Sequence, residues 1–286
     1  MTDRQICTQL RVLIIGQRSS FEHILATNIK NWGHEALLVP ALSANTEGDV
    51  LLYDLDEAPH ISIDTEGSPA GAPAHALLPP LSLEGNDGNN NQATSLTLAS
   101  WLPVRFTIAL SSQSVSRSTL EQMGAVALLQ KPFEMGRLQR YLRVLQRLLL
   151  EPEAIRPLGG RRRVLVVDDD IAIANAVRQC LVVSTDYEVA VAHDGLEALE
   201  QCLDWRPHCI ITDLIMPWMN GFQVMRCLNA VSLHARPAFV IMSALNQFEV
   251  PWNRSYMRGN MVEYVDKPFN IDHLLATVEQ VCLYNV

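Results

Sequence analysis

Five polar residues in the second half of the sequence stand directly after short apolar segments. They are two adjacent acids, a third acid, a hydroxyl and a lysine: Asp168, Asp169, Asp213, Ser243 and Lys267. Three carboxylates that meet at one point repel each other, and a divalent cation removes that repulsion. Ligand sets made only of oxygen suit Mg²⁺ or Mn²⁺, which also hold phosphate oxygens. The five residues therefore predict a metal-assisted site for phosphate chemistry.

The chemistry that fits this set is transfer of a phosphoryl group to a carboxylate. Asp213 can attack a phosphoryl donor and form an acyl phosphate. The cation, the ammonium group of Lys267 and the hydroxyl of Ser243 would neutralise the transferred charge, helped by backbone N–H groups just after Asp213. We therefore expect Asp213 to be the phosphoacceptor.

The elements that must position these residues are short apolar strands alternating with amphipathic helices. The strands that end at site residues are RVLVV (163–167), HCIITD (208–213), AFVIMSA (238–244) and MVEYVDK (261–267). Such alternation predicts a parallel sheet covered on both faces, with right-handed crossovers that favour a doubly wound α/β fold. In such folds the functional crevice lies beyond the carboxyl ends of the strands. The predicted fold therefore brings the five residues together.

The first half of the chain repeats this outline. The tripeptide Lys131-Pro132-Phe133 follows a short apolar strand and precedes a helix (135–150), as Lys267-Pro268-Phe269 does in the second half. Only a short segment separates the second and third strands of the first half, so we expect its second helix to be missing or rudimentary. We predict domains at 1–150 and 162–286 with a linker at 151–161, a flexible insertion near 57–100 and a further helix at 93–102.

The segments VLVVDDD, IITDLIMPWMNGF, VIMSA and YVDKPF resemble the signature segments of response-regulator receiver domains. These domains are the phosphoacceptors of two-component systems, and the resemblance covers about residues 161–286. Together with the repeated outline of the first half, it implies two flavodoxin-like five-stranded sheets in tandem with strand order 2-1-3-4-5. It also implies that Asp213 is phosphorylated, that Asp168 and Asp169 hold the metal with it, and that Ser243 is a switch hydroxyl paired with Lys267. Tyr264 matches the aromatic residue that turns inward on activation.

The first half keeps only part of this pattern. Gly16 and Gln17 stand where the acidic pair should be, while Asp54, Ser111 and Lys131 match Asp213, Ser243 and Lys267. Without two carboxylates a cation loses most of its ligands, and Asp54 can pair with Lys131 instead. We therefore predict a degenerate receiver, or pseudo-receiver, that is not phosphorylated. A second acid, Asp56, is expected to be exposed.

Two apolar residues near the predicted phosphoacceptor bear on the lifetime of the phosphoryl group. Ile215 and Leu245 come two positions after Asp213 and Ser243, where receiver domains often carry polar residues that help water to attack. Bulky apolar groups there should exclude water. We therefore predict slow hydrolysis of the phosphorylated protein.

Two basic features admit more than one interpretation. The helix at 135–150 carries arginines beside an apolar face, which fits either the last helix of a domain with solvated arginines or a surface for dimer or domain pairing. Its arginines are Arg137, Arg140, Arg143 and Arg147. The cluster Arg161, Arg162 and Arg163 could bind an anion such as a nucleotide, or could simply aid solubility.

The bulk properties narrow the class of protein. The net charge of -9 argues against a general nucleic-acid binder, so we do not expect DNA as a partner. We find no secretory signal and no apolar run long enough to cross a membrane, and the six cysteines lack zinc-like spacing. We therefore expect a cytoplasmic protein with buried thiols.

The leading hypothesis is a response regulator that signals through protein contacts. Its partners would be a histidine kinase or a His-containing phosphotransfer protein, and a downstream effector, with homodimers as a further option. Because the chain ends soon after the last predicted helix, we expect no output domain. We expect no enzyme beyond self-phosphorylation and self-dephosphorylation, since a dehalogenase-type phosphatase would need an acid at Ile215. The alternatives are a regulatory fragment of a longer effector, and a sensor of a small anion such as a cyclic dinucleotide.

Overall fold

Two five-stranded parallel sheets dominate the computed structural model. The structure describes residues 9–16, 19–40, 46–56, 104–157, 159–231, 236–244 and 261–284. Contacts divide the chain into two units, Met1–Gln139 and Arg140–Val286, with one sheet in each. The tandem arrangement predicted from the repeated pattern is therefore confirmed.

The first sheet has the order β2-β1-β3-β4-β5. Its strands are β1 (Arg11–Ile15), β2 (Glu35–Val39), β3 (Val50–Asp54), β4 (Phe106–Ser111) and β5 (Ala125–Gln130). The associated helices are α1 (Ser20–Asn31), α2 (Arg117–Gln122) and α3 (Met135–Leu150). The central strands β3 and β4 are buried over their whole length, as their unbroken apolar sequences require.

The second sheet has the order β10-β9-β8-β6-β7, which is again 2-1-3-4-5 when its strands are counted from the first. Its strands are β6 (Arg163–Val167), β7 (Glu188–Ala192), β8 (Cys209–Asp213), β9 (Ala238–Ser243) and β10 (Val262–Asp266). The helices are α4 (Ile171–Ser184), α5 (Gly195–Asp204), α6 (Gly221–Ala230) and α7 (Ile271–Tyr284). Both sheets therefore have the predicted flavodoxin-like fold.

Burial explains why polar residues appear only where these strands end. Strands β8 and β9 are buried from end to end, and only the first residue of β6 is partly exposed. A fully buried aliphatic side chain stabilises the fold by about 1.5–3 kcal/mol, whereas an unpaired polar group in the same place would be unfavourable. The apolar stretches thus hold the sheet together, and their carboxyl ends are left to carry chemistry.

Helix α3 belongs partly to each unit. The boundary falls between Gln139 and Arg140, within the helix. In the second unit, Arg140 Nη2 lies 2.7 Å from Glu200 Oε2, and Arg147 Nη1 lies 2.9 Å from Asp204 Oδ1. These two arginines are therefore ion-paired with helix α5, whereas the proposed dimer surface remains a prediction.

Some predicted elements need correction or lie outside the described residues. Between β2 and β3 no helix occurs in 46–49, and residues 41–45 lie outside the described part. The insertion near 57–100 and the helix at 93–102 also lie outside it. Helix α2 was not predicted, although Ser116 caps it by accepting a hydrogen bond from the backbone N–H of Thr119.

The described cysteines largely agree with the expectation of buried thiols. The thiols of Cys202, Cys209, Cys227 and Cys282 are free and buried, and Cys180 is half-buried. No helix in the part of the chain that the structure describes is long and apolar enough to cross a membrane.

Candidate functional site

Four strands of the second sheet end at one edge and carry the predicted residues there. Asp168 follows β6 directly, Asp213 is the last residue of β8, and Ser243 is the last residue of β9. Lys267 follows β10, whose last residue pairs with Ser243 in the parallel register. We call Asp168, Asp169, Asp213, Ser243 and Lys267 the receiver site.

Lys267 joins the two buried acids of the receiver site. Its Nζ lies 2.8 Å from Asp168 Oδ2 and 2.9 Å from Asp213 Oδ2. The side chain of Asp168 is only 1% exposed and that of Asp213 only 13%. The lysine therefore sits between the predicted phosphoacceptor and a predicted metal ligand.

The charges of these groups depend on each other. Burial raises the pKa of Asp168, although hydrogen bonds from Lys267 and from the backbone N–H of Asp170 oppose this change. Burial disfavours the charged form of Lys267, but its bonds to Asp168 and Asp213 outweigh burial and raise its pKa. The lysine thus stays charged at neutral pH and is the single cation beside the three carboxyl groups of the receiver site.

Three carboxylates of the receiver site could hold a cation. Single oxygen atoms of Asp168, Asp169 and Asp213 all lie within 4.8 Å of one another. These hard oxygen donors suit Mg²⁺ or Mn²⁺, and the exposed Asp169 leaves one side open to water. The third acid of the DDD segment has another task, because Asp170 caps helix α4 by accepting from the N–H groups of Ala172 and Ile173. The residues therefore fit the predicted metal.

The loop after β8 shapes the open side of the site. The N–H of Ile215 donates to Asp213 Oδ1 at 3.2 Å, while the Ile215 side chain is 56% exposed. Trp218 adopts a left-handed backbone conformation with φ 68°, which is uncommon for a bulky residue. Gly221 is needed at the end of the loop, because a Cβ there would lie 2.8 Å from the carbonyl oxygen of Asp213. Leu245 lies outside the described residues.

The two predicted switch residues lie on neighbouring strands. Ser243 is buried at the end of β9, and Tyr264 is half-buried on β10, paired in register with Ile241 of β9. Their positions agree with the sequence, and their switching roles remain predictions.

The first sheet carries a second cluster, formed by Asp54, Asp56, Ser111 and Lys131, which we call the first-half site. Its backbone matches that of the receiver site. Asp56 N–H donates to Asp54 Oδ1 at 3.1 Å, as Ile215 does to Asp213, and Lys131 N–H donates to the Ser111 carbonyl at 2.7 Å, as Lys267 does to Ser243. These two backbone hydrogen bonds therefore have the same positions in both sites.

The side chains of the first-half site are arranged differently. Lys131 Nζ lies 2.5 Å from Asp54 Oδ2 and 3.1 Å from Asp56 Oδ2. Burial disfavours the charged lysine, yet these two acids outweigh burial and raise its pKa. Its Nζ also lies 4.7 Å from the centre of the Phe21 ring, within the range of a cation–π contact. The predicted pairing of Asp54 with Lys131 is present, and Asp56 joins it.

Glu22 fills the place left by the missing acidic pair. A Cβ added to Gly16 would lie only 1.2 Å from Glu22 Oε1. Glu22 is 1% exposed, and its other oxygen accepts the N–H of Ser19 in a capping box. The sequence signal for this contact is the spacing of Ser19 and Glu22, which is typical of such a box, although it does not indicate the link to Gly16. Gln17 lies outside the described residues.

We expect Gly16→Asp to destabilise the first half, because the new side chain would collide with a buried carboxylate. The free energy of unfolding should fall by about 3 kcal/mol or more. The double variant Gly16→Asp, Glu22→Ala should recover much of that loss, which urea unfolding of the three proteins would measure. Equal stability of Gly16→Asp and the wild type would contradict the packing described here.

The arginine cluster 161–163 has separate partners. Arg161 Nε donates to the carbonyl oxygen of Asp186 at 3.0 Å, whereas the Arg163 guanidinium lies 5.8 Å from the centre of the Trp205 ring. The carbonyl oxygen of Arg162 accepts the N–H of Glu188. These contacts give the segment a structural task, and the predicted anion patch stays a prediction.

Comparisons with known proteins agree with the geometry of the second half. The family model described as "Response regulator receiver domain" matches residues 164–279. The response regulator MprA of Mycobacterium ulcerans is 34% identical over 114 residues, which are 40% of this chain and 47% of that protein. MprA of Mycobacterium avium is 33% identical over 114 residues, which are 40% of this chain and 48% of that protein.

Solved structures of similar sequence include a receiver domain and a chemotaxis protein. The receiver domain of Francisella response regulator 1452 is 26% identical, covers 44% of this chain and 100% of that one, and has a TM-score of 0.37. The Vibrio cholerae chemotaxis protein CheY4 is 30% identical, covers 43% of this chain and 99% of that one, and has a TM-score of 0.36.

The match to the two MprA proteins covers only part of each chain. The chain spans about half the length of the curated relatives it matches. These comparisons do not support the expectation that DNA is excluded as a partner. The family model, the motifs in order and the convergence of Asp168, Asp169, Asp213 and Lys267 at one sheet edge agree with each other. The second half of the chain is a response regulator receiver domain of the kind found in two-component systems.

Proposed function

We propose that the protein is a response regulator that accepts a phosphoryl group on Asp213 from a phosphohistidine. The donor would be a histidine kinase or a His-containing phosphotransfer protein. The observation that carries this proposal is the position of Asp213, which contacts Lys267 and lies within 4.8 Å of two further carboxylates at the open edge of the sheet. A buried, metal-competent carboxylate beside a lysine is suited to phosphoryl transfer.

The residues of the receiver site have distinct tasks in this transfer. Asp213 provides the attacking oxygen, so that a P–O bond forms while the P–N bond to the donor imidazole breaks. The backbone N–H of Ile215 and the ammonium of Lys267 hold its two oxygens in place. Asp168, Asp169 and Asp213 would hold Mg²⁺ or Mn²⁺, which when bound offsets charge on the phosphoryl oxygens. Ser243 would donate its hydroxyl to the transferred group.

The output is proposed to be a change in protein contacts. Movement of Ser243 toward the phosphoryl group would leave room for Tyr264 to turn inward, which would alter the surface of β10 and α7. A downstream protein would read this surface, and pairing of two copies is a further option. We propose no catalytic activity beyond self-phosphorylation and self-dephosphorylation, and the cytoplasmic location remains a prediction.

The first half is proposed to be a pseudo-receiver that does not accept phosphate. Its predicted extent is 1–150, joined by the linker 151–161 to the receiver domain at 162–286. Two observations support this proposal. Gly16 offers no carboxylate for a metal, and Lys131 already pairs with one oxygen of Asp54 and one oxygen of Asp56. The anion-sensor alternative has no comparable support, because Arg161 and Arg163 contact separate groups.

A direct test is labelling by acetyl phosphate, a small donor that needs no partner protein. The full chain should incorporate phosphate when Mg²⁺ is present and lose this ability when the metal is chelated. Asp169→Asn should label weakly even when Mg²⁺ is present, because it loses one of the three carboxylates that would hold the metal. Equal labelling with and without the metal would contradict the proposed site.

We expect the phosphorylated protein to hydrolyse slowly because of Ile215. Its exposed side chain stands beside Asp213 and offers water no hydrogen-bonding group. Ile215→Asn should increase the rate of label loss by about tenfold, since one positioned polar group typically changes such rates by at least that factor. A time course of label loss from the purified proteins measures this, with Ile171→Asn as a matched exposed control. Loss of the wild-type label within seconds would refute the prediction.

A further inference from the structure

The carboxylate of Asp56 is held by three kinds of donor at once. It accepts a hydrogen bond from the hydroxyl of Ser111 at 3.1 Å and from the N–H of Ser112 at 2.8 Å to one oxygen and 3.0 Å to the other. The ammonium of Lys131 lies 3.1 Å away. Asp56 is at the surface, with its side chain 23% exposed, yet its carboxylate is fixed in one place.

These donors occupy positions equivalent to those of the receiver site. Ser111 ends β4 as Ser243 ends β9, and Lys131 follows β5 as Lys267 follows β10. A phosphoryl group on a strand-end aspartate requires a cation, a hydroxyl and backbone N–H groups around its oxygens. In the first half, each of these donor types is already bound to an anion.

We infer that the carboxylate of Asp56 is a built-in substitute for the phosphoryl group of the first-half site. It follows Asp54 by two residues, so the chain itself delivers the anion to the site. The first-half site would then keep a single conformation. Binding of a partner to the surface of the first half would not depend on phosphorylation. This inference rests on the proposed function, because it assumes that the receiver site binds a phosphoryl group with the equivalent donors.

The electrostatic environment of Asp56 favours its charged form, as a permanent anion requires. Burial opposes ionisation of Asp56, but hydrogen bonds from Lys131, from Ser112 N–H and from Ser111 outweigh it, so the pKa of this carboxyl is lowered. Asp54 is buried and also pairs with Lys131. At the equivalent position the receiver site has Ile215, which carries no charge. The two halves therefore differ in whether the anion is supplied by the chain or from outside.

The lysines allow both sites to be observed in one experiment. The sequence contains three, Lys30, Lys131 and Lys267, and the last two belong to the two sites. In the full chain labelled with ¹⁵N-lysine, we would add beryllium fluoride with Mg²⁺, a mimic of the phosphoryl group. The amide signal of Lys267 should move, while those of Lys131 and Lys30 stay in place. A comparable movement of Lys131 would show that its donors are free and would overturn the inference.

Removal of the internal anion provides the second arm. In Asp56→Ala the Lys131 signal should shift, the melting temperature should fall by about 5 °C, and inorganic phosphate should reverse both changes in a saturable way. Phosphate should leave the wild-type Lys131 signal unchanged. If phosphate did not move the Lys131 signal in Asp56→Ala, the inference would be refuted.

A second variant applies if Asp56→Ala does not fold. Asp56→Asn should still shift the Lys131 signal, and an unshifted signal would equally refute the inference. If the amide signal of Lys267 did not move with beryllium fluoride and Mg²⁺, that result would contradict Asp213 as the phosphoacceptor. The inference about Asp56 is decided by the Lys131 signal alone.

Discussion

Replacement of Asp213 by asparagine is expected to lower phosphate incorporation by more than about 100-fold. The carboxamide has nearly the same shape but is not a nucleophile, and it also removes one of the three carboxylates that would hold the metal. The measurement is the initial rate of labelling by acetyl phosphate with Mg²⁺ in the full chain. Because Asp213 lies next to Lys267, a circular dichroism melt should accompany the assay to show that the variant is folded.

The matched control is Asp54→Asn, which makes the same change at the equivalent strand end of the first sheet. We expect its labelling to stay within about twofold of the wild type, because Asp54 is already bound to Lys131. Labelling that survives Asp213→Asn and disappears with Asp54→Asn would reverse the assignment of the two halves.

Replacement of Lys267 by methionine is expected to affect both transfer and stability. Labelling should fall by about 100-fold, as is typical when one charged donor to a transferred group is removed. The free energy of unfolding in the absence of Mg²⁺ should fall by about 3 kcal/mol, because Asp168 and Asp213 lose the cation between them. Urea unfolding with and without Mg²⁺ measures the loss of stability. Bound Mg²⁺ should reduce the difference in unfolding free energy between the wild type and Lys267→Met.

The difference in stability between the wild type and Lys267→Met should depend on pH in a definite direction. The folded pKa of Lys267 is raised, since its bonds to Asp168 and Asp213 outweigh the opposing effect of burial. Its contribution to stability is therefore complete below the unfolded lysine pKa of about 10.4 and is lost as the pH rises through the higher folded pKa. Wild type and Lys267→Met should differ most near neutral pH and converge in strong alkali. Lys30→Met, at an exposed position of helix α1, should show no such difference.

The sequence predicts the sheets and the grouping of the receiver-site residues at one edge, because both depend on local patterns. Unbroken apolar strands define a parallel sheet, and a polar residue at the end of each strand, such as Asp213 or Ser243, must lie at its carboxyl edge. The pairing of Asp54 with Lys131 follows in the same way. These features need only the order of the elements and the positions at which the strands end.

The features that were not predicted depend on contacts between distant residues or on weak local signals. Asp56 binds Ser111, which is 55 positions away, and nothing next to Asp56 in the sequence indicates this bond. Glu22 Oε1 occupies the space where a Cβ of Gly16 would lie, and this contact depends on the position of helix α1 relative to β1. Helix α2 has six residues, none of them buried, so it lacks the apolar periodicity by which longer helices are recognised.

Chemical identification of the phosphorylated residue tests the central claim most directly. Borohydride reduces an aspartyl phosphate to homoserine, which marks the acceptor position for mass spectrometry after digestion. With the unaltered chain, acetyl phosphate and Mg²⁺, we predict this mark at position 213, with Asp54 and Asp168 intact. A mark at position 54, or labelled protein in which position 213 is unmodified, would contradict the assignment of Asp213 as the phosphoacceptor.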